Sequence, residues 1–151
     1  GSFLDQDGIV TGSNYKRYSL YSKVSHTISK KFEMNVSTIL TRLETARKDN
    51  GGGTRGSSMI SAAISAAPIS QPYNADGSIN DLANEYAFVG PDIINPMYFI
   101  KEQSTEIKAN IALANAALLY HPIPDITLKI SGGIENRDDR TDSYTTTKFK
   151  N

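Results

Sequence analysis

Two acidic segments offer the densest oxygen donors in the chain. Asp5-Gln6-Asp7-Gly8 and Asn74-Ala75-Asp76-Gly77 crowd carboxylates and amides into short glycine-ended stretches, the ligand type that calcium takes. Neither carries the spaced Asp-x-Asp-x-Asp-Gly frame with a distant glutamate, so both read as turns, whose dihedrals Asn, Asp and Gly tolerate. His26 and His121 are the only imidazoles, and no local serine and carboxylate arrangement points to a triad. Gly51-Gly52-Gly53-Thr54 lacks the lysine and spacing of a phosphate-cradling loop and reads as a loop tip. The absence of cysteine excludes a disulfide framework, a thiol nucleophile and a thiolate zinc site. The chain is therefore expected to be no enzyme and to hold no cofactor or metal. What remains is binding chemistry: Tyr73, Tyr86, Tyr98 and Phe99 lie in one long central segment, where rings can stack on a sugar or grip a peptide.

The elements that position these residues are legible from period-two patterning. From Tyr15 to Ile28, Tyr18, Leu20, Val24 and Ile28 alternate with Arg17, Ser19, Tyr21, Lys23, Ser25 and Thr27, which makes one strand face apolar and the other polar. Phe32 to Arg42 repeats this with Phe32, Met34, Val36 and Leu40 against Glu33, Asn35, Ser37 and Thr41; only Ile39 is out of place. Ile126 to Arg137 sets Ile126, Leu128, Ile130, Gly132 and Ile134 against Thr127, Lys129, Ser131, Gly133, Glu135 and Arg137. Strands in soluble proteins usually stop after about five or six residues, whereas a strand crossing an outer membrane needs about nine to eleven. The fold class expected is all-β, made of antiparallel hairpins suited to a transmembrane barrel.

Totals do not separate a barrel from a soluble domain. Lys plus Arg equals Asp plus Glu at 16 each in 151 residues, so bulk charge gives no case for nucleic acid or an anionic membrane surface as partner. Nor does any run of about eighteen apolar residues occur, which excludes a helical span but not a barrel. The start of the chain shows no secretory signal, and a mature piece or an excised fragment is expected.

Between the first two strands lie only Ser29, Lys30 and Lys31; between the last two, His121-Pro122-Ile123-Pro124-Asp125, whose prolines oppose continued pairing. A long loop at about residues 47–104 separates the two hairpins. Short turns on one side and long excursions on the other are the asymmetry of outer-membrane barrels. Within the loop, Ser57 to Ala67 reads as a short helix with Ile60, Ala63, Ile64 and Ala67 on one face. The stretch Glu106 to Tyr120 is ambiguous. Its alanines favour a helix, while a strand reading points Ile107, Ala109, Ile111 and Leu113 outward and then needs a bulge or a polar lipid-facing position at Asn115. Glu135 to Asp142, dense in charge, reads as a solvated loop where the last strand leaves the membrane. Tyr15, Tyr18, Phe32 and Tyr120 lie near strand ends, where rings favour headgroup level or pack in an ordinary core.

Several phrases in order resemble the barrel of SusC/RagA-type TonB-linked outer-membrane transporters: Asp5-Gln6-Asp7-Gly8-Ile9-Val10, Tyr15-Lys16-Arg17-Tyr18-Ser19-Leu20, Lys31-Phe32-Glu33-Met34-Asn35-Val36, Tyr73-Asn74-Ala75-Asp76-Gly77-Ser78, Asn95-Pro96 and Leu128-Lys129-Ile130-Ser131-Gly132-Gly133. The resemblance covers nearly the whole chain and makes Glu106–Tyr120 a strand. It implies part of a TonB-dependent receptor barrel with strands at about 15–28, 32–42, 106–120 and 126–137 and an extracellular loop. It further implies import of oligosaccharides or peptides across the outer membrane, a SusD-like surface lipoprotein as lid, energy coupling through TonB, and Tyr73, Tyr86, Tyr98 and Phe99 as contacts to cargo or lid. Four strands cannot close a barrel, for which about eight is the practical minimum, and the plug domain is absent, so a fragment is expected. The alternative is a soluble β-rich surface binding or adhesion module, which would have to cover Leu20, Val24, Val36, Ile130 and Ile134 with a second layer.

Overall fold

The computed structural model describes residues 1–48, 58–82 and 93–149. Five strands, β1 (Ser2–Asp7), β2 (Asn14–Ser29), β3 (Phe32–Arg47), β4 (Gln103–Ile123) and β5 (Ile126–Thr145), pair in chain order as a mostly antiparallel sheet. Helices α1 (Met59–Ser65) and α2 (Pro96–Lys101) lie wholly within the described residues. By Cα proximity the chain divides into two compact units. The first holds Gly1–Gln6, Tyr15–Glu44 and Lys108–Arg140; the second holds Asp7–Asn14, Thr45–Ile107 and Thr141–Asn151.

The first unit is all strand, and its register follows from side chains that meet. Ser19 Oγ lies 3.4 Å from Thr41 Oγ1 on the polar face. On the apolar face the rings of Phe32 and Tyr120 stack 4.6 Å apart. His121 N–H donates to Lys31 O at 2.8 Å, and His121 Nδ1 lies 3.0 Å from Thr127 Oγ1. Stepping along the strands from these anchors, with side chains alternating, places Leu20, Leu40 and Ala112 in one row, consistent with the single cavity that all three line. The next row on the other face is Tyr21, Ile39 and Leu113, and the one after is Lys23, Ser37, Asn115 and Gly133, which line another cavity together.

This register corrects the expectation for β4. No helix forms over Glu106–Tyr120, because β4 continues for 21 residues; pairing with β3 and β5 overrides the alanines' weak helical preference. Its apolar face carries Ala112, Ala114, Ala116, Leu118 and Tyr120, aligned with Phe32, while Ile111, Leu113 and Asn115 share the face of Ser37 and Thr41. Asn115 therefore needs neither a bulge nor a polar place on the apolar side. Ile39, the residue out of pattern in β3, lies opposite Leu113 in this register, so the two irregular positions share one row. A methyl group at Gly133 would overlap the Asn115 side-chain oxygen, whereas one at Gly132, on the apolar face, would meet nothing within 4 Å.

Other boundaries differ as well. Glu135–Asp142 is strand and not loop, since β5 runs to Thr145; a solvated strand has the same polarity as a loop. Asp5-Gln6-Asp7 lies in β1, with Asp5 paired to Lys16 at 3.3 Å and Phe3 packed on Tyr18 at 5.0 Å, while the turn itself falls at Gly8–Ser13, where Gly8 N–H donates to Ser13 O at 2.9 Å. Pro122 is the penultimate residue of β4, and the turn narrows to Pro124 and Asp125.

The second unit has its own small core. Met59, Ala62 and Phe99 pack together with Val10, Ile94, Ile100 and Phe149 around them, and Leu82 packs with Ile93 beside Ala66 and Ala67. Helix α1 starts at Ser58, whose Oγ accepts from Ser61 N–H at 3.3 Å. It buries Met59 and Ala62 and leaves Ile60, Ala63 and Ile64 of the expected face exposed, Ile64 at 80%, while Ala67, beyond the helix, is half-buried beside Leu82 and Ile93. Ala62, with no exposed surface, is small enough to let the α1 and α2 backbones approach each other, which a β-branched residue there would prevent.

Candidate functional site

The second unit builds a cavity from a turn, a helix end and the segment after β5. The turn is closed by the Tyr73–Ile79 bridge, with Asn74 N–H donating to Ser78 O at 2.9 Å and Gly77 N–H to Asn74 O at 2.9 Å. Gly77 sits at φ 82°, a left-handed position that glycine takes without a Cβ penalty. Asp76 Oδ1 accepts from Ser78 N–H at 2.9 Å and Ser78 Oγ at 2.6 Å, and these bonds hold its carboxyl below the usual carboxylate range. The oxygens that invited a calcium reading thus serve the turn itself.

Asn95 locks this turn to α2. Its Oδ1 caps the helix by accepting from Met97 N–H at 3.0 Å, and Pro96 occupies the first turn, where a missing N–H costs nothing. The Asn95 Nδ2 donates to Pro72 O at 3.0 Å and to Asn80 O at 2.9 Å, one at each end of the turn. The side chain is 2% exposed and fully used, as a buried amide must be. At the other end of α2, Lys48 Nζ donates to Ile100 O and Gln103 O at 2.8 Å each, complementing the helix C-terminus. Burial lowers the pKa of that lysine.

On α2 the spacing decides which ring is offered. Tyr98 and Lys101, three apart, share a face. Both line a cavity of about 520 Å³ with Gly77, Ser78, Ile79, Glu102, Thr147 and Lys148. Lys101 Nζ lies 4.5 Å from the centre of the Tyr73 ring, a cation–π contact. Thr146 ties the far wall in place, donating its N–H to Glu102 O at 2.9 Å and its hydroxyl to Glu102 Oε2.

Of the four aromatic candidates, Tyr98 lines the cavity and Tyr73 borders it through Lys101. Phe99 points into the core, 2% exposed, with its ring edge-on to Phe149 at 5.1 Å. Its ring is not offered to a ligand. Tyr86 lies outside the described residues. Lys101, Glu102 and Lys148 were not expected. The helix start at Asn95-Pro96 and the three-residue spacing of Tyr98 and Lys101 were signals that pointed to the first two; Lys148, 46 residues beyond Glu102 in the sequence, gave none.

The first unit holds a second cavity, of about 380 Å³, over the polar face of the sheet, lined by Lys23, Asn35, Ser37, Asn115, Lys129 and Ser131 among others. Amides, hydroxyls and ammonium groups are combined there without a nucleophile or base in a catalytic arrangement.

No family model matches the chain. A comparison with curated proteins finds one that is 32% identical over 143 residues, named TonB-dependent receptor P3, from Formosa agariphila. The likeness supports the TonB-dependent receptor family. It covers 91% of this chain but 14% of the relative, so the chain spans about one seventh of that protein's length. The relative is named as a receptor and not as an enzyme.

Proposed function

We propose that the chain forms part of the barrel wall of a TonB-dependent outer-membrane transporter of the SusC/RagA type. The residues between β3 and β4 then lie on the extracellular side. A SusD-like surface lipoprotein is the proposed lid, the TonB complex supplies energy through a plug region, and the cargo is an oligosaccharide or peptide that Tyr73 and Tyr98 help to contact.

The observation that carries this reading is the spacing of two aromatic pairs on the apolar face. Phe32 stacks on Tyr120 near the short turns, and Phe3 packs on Tyr18 at the other end. Since Ser19 lies opposite Thr41, Tyr18 lies opposite Arg42, ten residues along β3 from Phe32. That is about 33 Å of strand, or about 25 Å across a bilayer at the usual tilt, close to the height of the apolar band between aromatic girdles. Between the pairs, Leu20 and Val24 are exposed, Ile134 is 70% exposed and Ile130 is 77% exposed. A soluble module would have to cover this band with a second layer.

The test is arginine on each face of the full-length protein. Val36→Arg or Ile130→Arg should impair assembly into bilayers by about 2–4 kcal/mol, and Ser37→Arg or Ser131→Arg by much less. Equal damage from both pairs in bilayer-folding titrations counts against a lipid-facing wall.

A further inference from the structure

The cavity between the Tyr73–Ile79 turn and the end of α2 gathers two lysines and one carboxylate in its lining. Lys101 and Lys148 both line it, and among the described residues neither is held in an ion pair. Lys101 is oriented by the Tyr73 ring, which attracts a cation without neutralising it. Glu102 also lines the cavity, but its carboxylate accepts from the Thr146 hydroxyl, a neutral donor. Two ammonium groups against one carboxylate leave the wall net positive. Beside them stands Tyr98, held edge-on to Phe149 at 6.3 Å between ring centres. Both lysines are exposed to solvent, so an anionic group that enters the cavity meets two ammonium groups and one carboxylate.

We propose that this cavity binds an anionic sugar unit, with Lys101 and Lys148 on its carboxylate or sulfate, Tyr98 against a ring face, and Glu102 accepting from ring hydroxyls. An acidic peptide would satisfy the lysines but has few hydroxyl donors for Glu102. A neutral sugar would use Tyr98 and Glu102 and leave both ammonium groups unanswered. The volume of about 520 Å³ falls in the range of small-ligand pockets. The arrangement is built and not incidental, because Asn95 fixes the turn to the helix through three hydrogen bonds and Thr146 fixes the far wall. The proposal rests on the transporter reading only in calling the ligand cargo.

The full-length receptor, purified in detergent, would be titrated with four probes: trigalacturonate, which carries carboxylates only, a kappa-carrageenan hexasaccharide, which carries sulfates only, cellohexaose as a neutral control, and hexaglutamate for the peptide class. At least one anionic sugar should bind more tightly than cellohexaose and hexaglutamate, and its binding should weaken as salt rises. Which of the two binds distinguishes carboxylate from sulfate. Lys101→Met and Lys148→Met should each weaken that binding about tenfold, the loss expected for one charge-assisted contact. Lys30→Met, in the β2–β3 turn, should leave it unchanged. Lys148 is exposed, so its variant should fold even where changes at Tyr98 disturb the packing on Phe149. Binding of neither anionic sugar, preference for hexaglutamate or cellohexaose, or indifference to both lysine variants overturns the proposal. Outer-membrane fractionation of the same variants separates the two readings. A receptor that assembles but does not bind leaves the transporter reading standing, and a soluble protein that binds the anionic sugar does the reverse.

Discussion

The two units handle apolar side chains in opposite ways. The second buries Met59, Ala62, Leu82, Ile93 and Phe99 in small cores. The first, although nearly all of it is strand, buries only Ala109 among its apolar residues and leaves Leu20, Val24, Leu40, Leu128, Ile130 and Ile134 exposed. Identical physics therefore gives different outcomes. A cluster of loops and short helices can turn its apolar residues on one another, but a single sheet layer cannot, because alternation sends half of its side chains outward. The exposed half needs an apolar cover, and in the proposed transporter a lipid bilayer supplies it.

That contrast can be broken by perturbing each unit in the currency of the other. Charge on the apolar face, through Val36→Arg or Ile130→Arg, is expected to have the largest effect and to act on membrane assembly. Asn95→Ala should act on the second unit alone. It removes the cap of α2 and strands the carbonyls of Pro72 and Asn80, for a loss of about 2–3 kcal/mol. Limited proteolysis of the assembled protein should then cut in the segment around 72–98 while the strands stay protected. Cleavage in β2 or β3 at the same rate would show that the units do not lose structure independently.

The smallest effect sharpens the picture of the turn. Hydrogen bonds from Ser78 depress the Asp76 pKa in the folded protein, so their stabilisation is present above the unfolded value near 3.8 and fades as pH falls through the lower folded value. Amide-exchange protection at Ser78, whose N–H donates to that carboxylate, should drop in this acid range. In Asp76→Asn the drop should be absent. A pH-independent Ser78 would mean that the carboxylate does not hold the turn.

How much of this was legible depended on whether side chains advertise their face. In β2, β3 and β5 they do, since Leu20, Val36 and Ile130 each have polar neighbours on both sides. In β4 they do not. Alanine is equally at home on either face, and the larger Ile111 and Leu113 sit on the otherwise polar side opposite Thr41 and Ile39. Only the register with β3 reveals this, and register is a property of two strands, not one. The charged end of β5 was hidden for a related reason, because beyond the apolar band a strand and a loop are both polar. At the candidate site, Tyr73 and Tyr98 could be picked out as aromatic residues of the loop. Phe99 could be assigned to the core only once α2 was placed, and Lys148 only once the segment after β5 was seen against Glu102.

The central claim is that adjacent residues of these strands face lipid and polar surroundings in turn. This segment contributes no cysteine, so single cysteines at Ile130 and Ser131 of the full-length protein can each carry a nitroxide label. In bilayers, collision with dissolved oxygen should dominate at position 130 and collision with a water-soluble nickel chelate at 131, with the same reversal between Val36 and Ser37. Equal accessibility to both reagents at 130 and 131, or shielding of both positions from oxygen, would contradict the account.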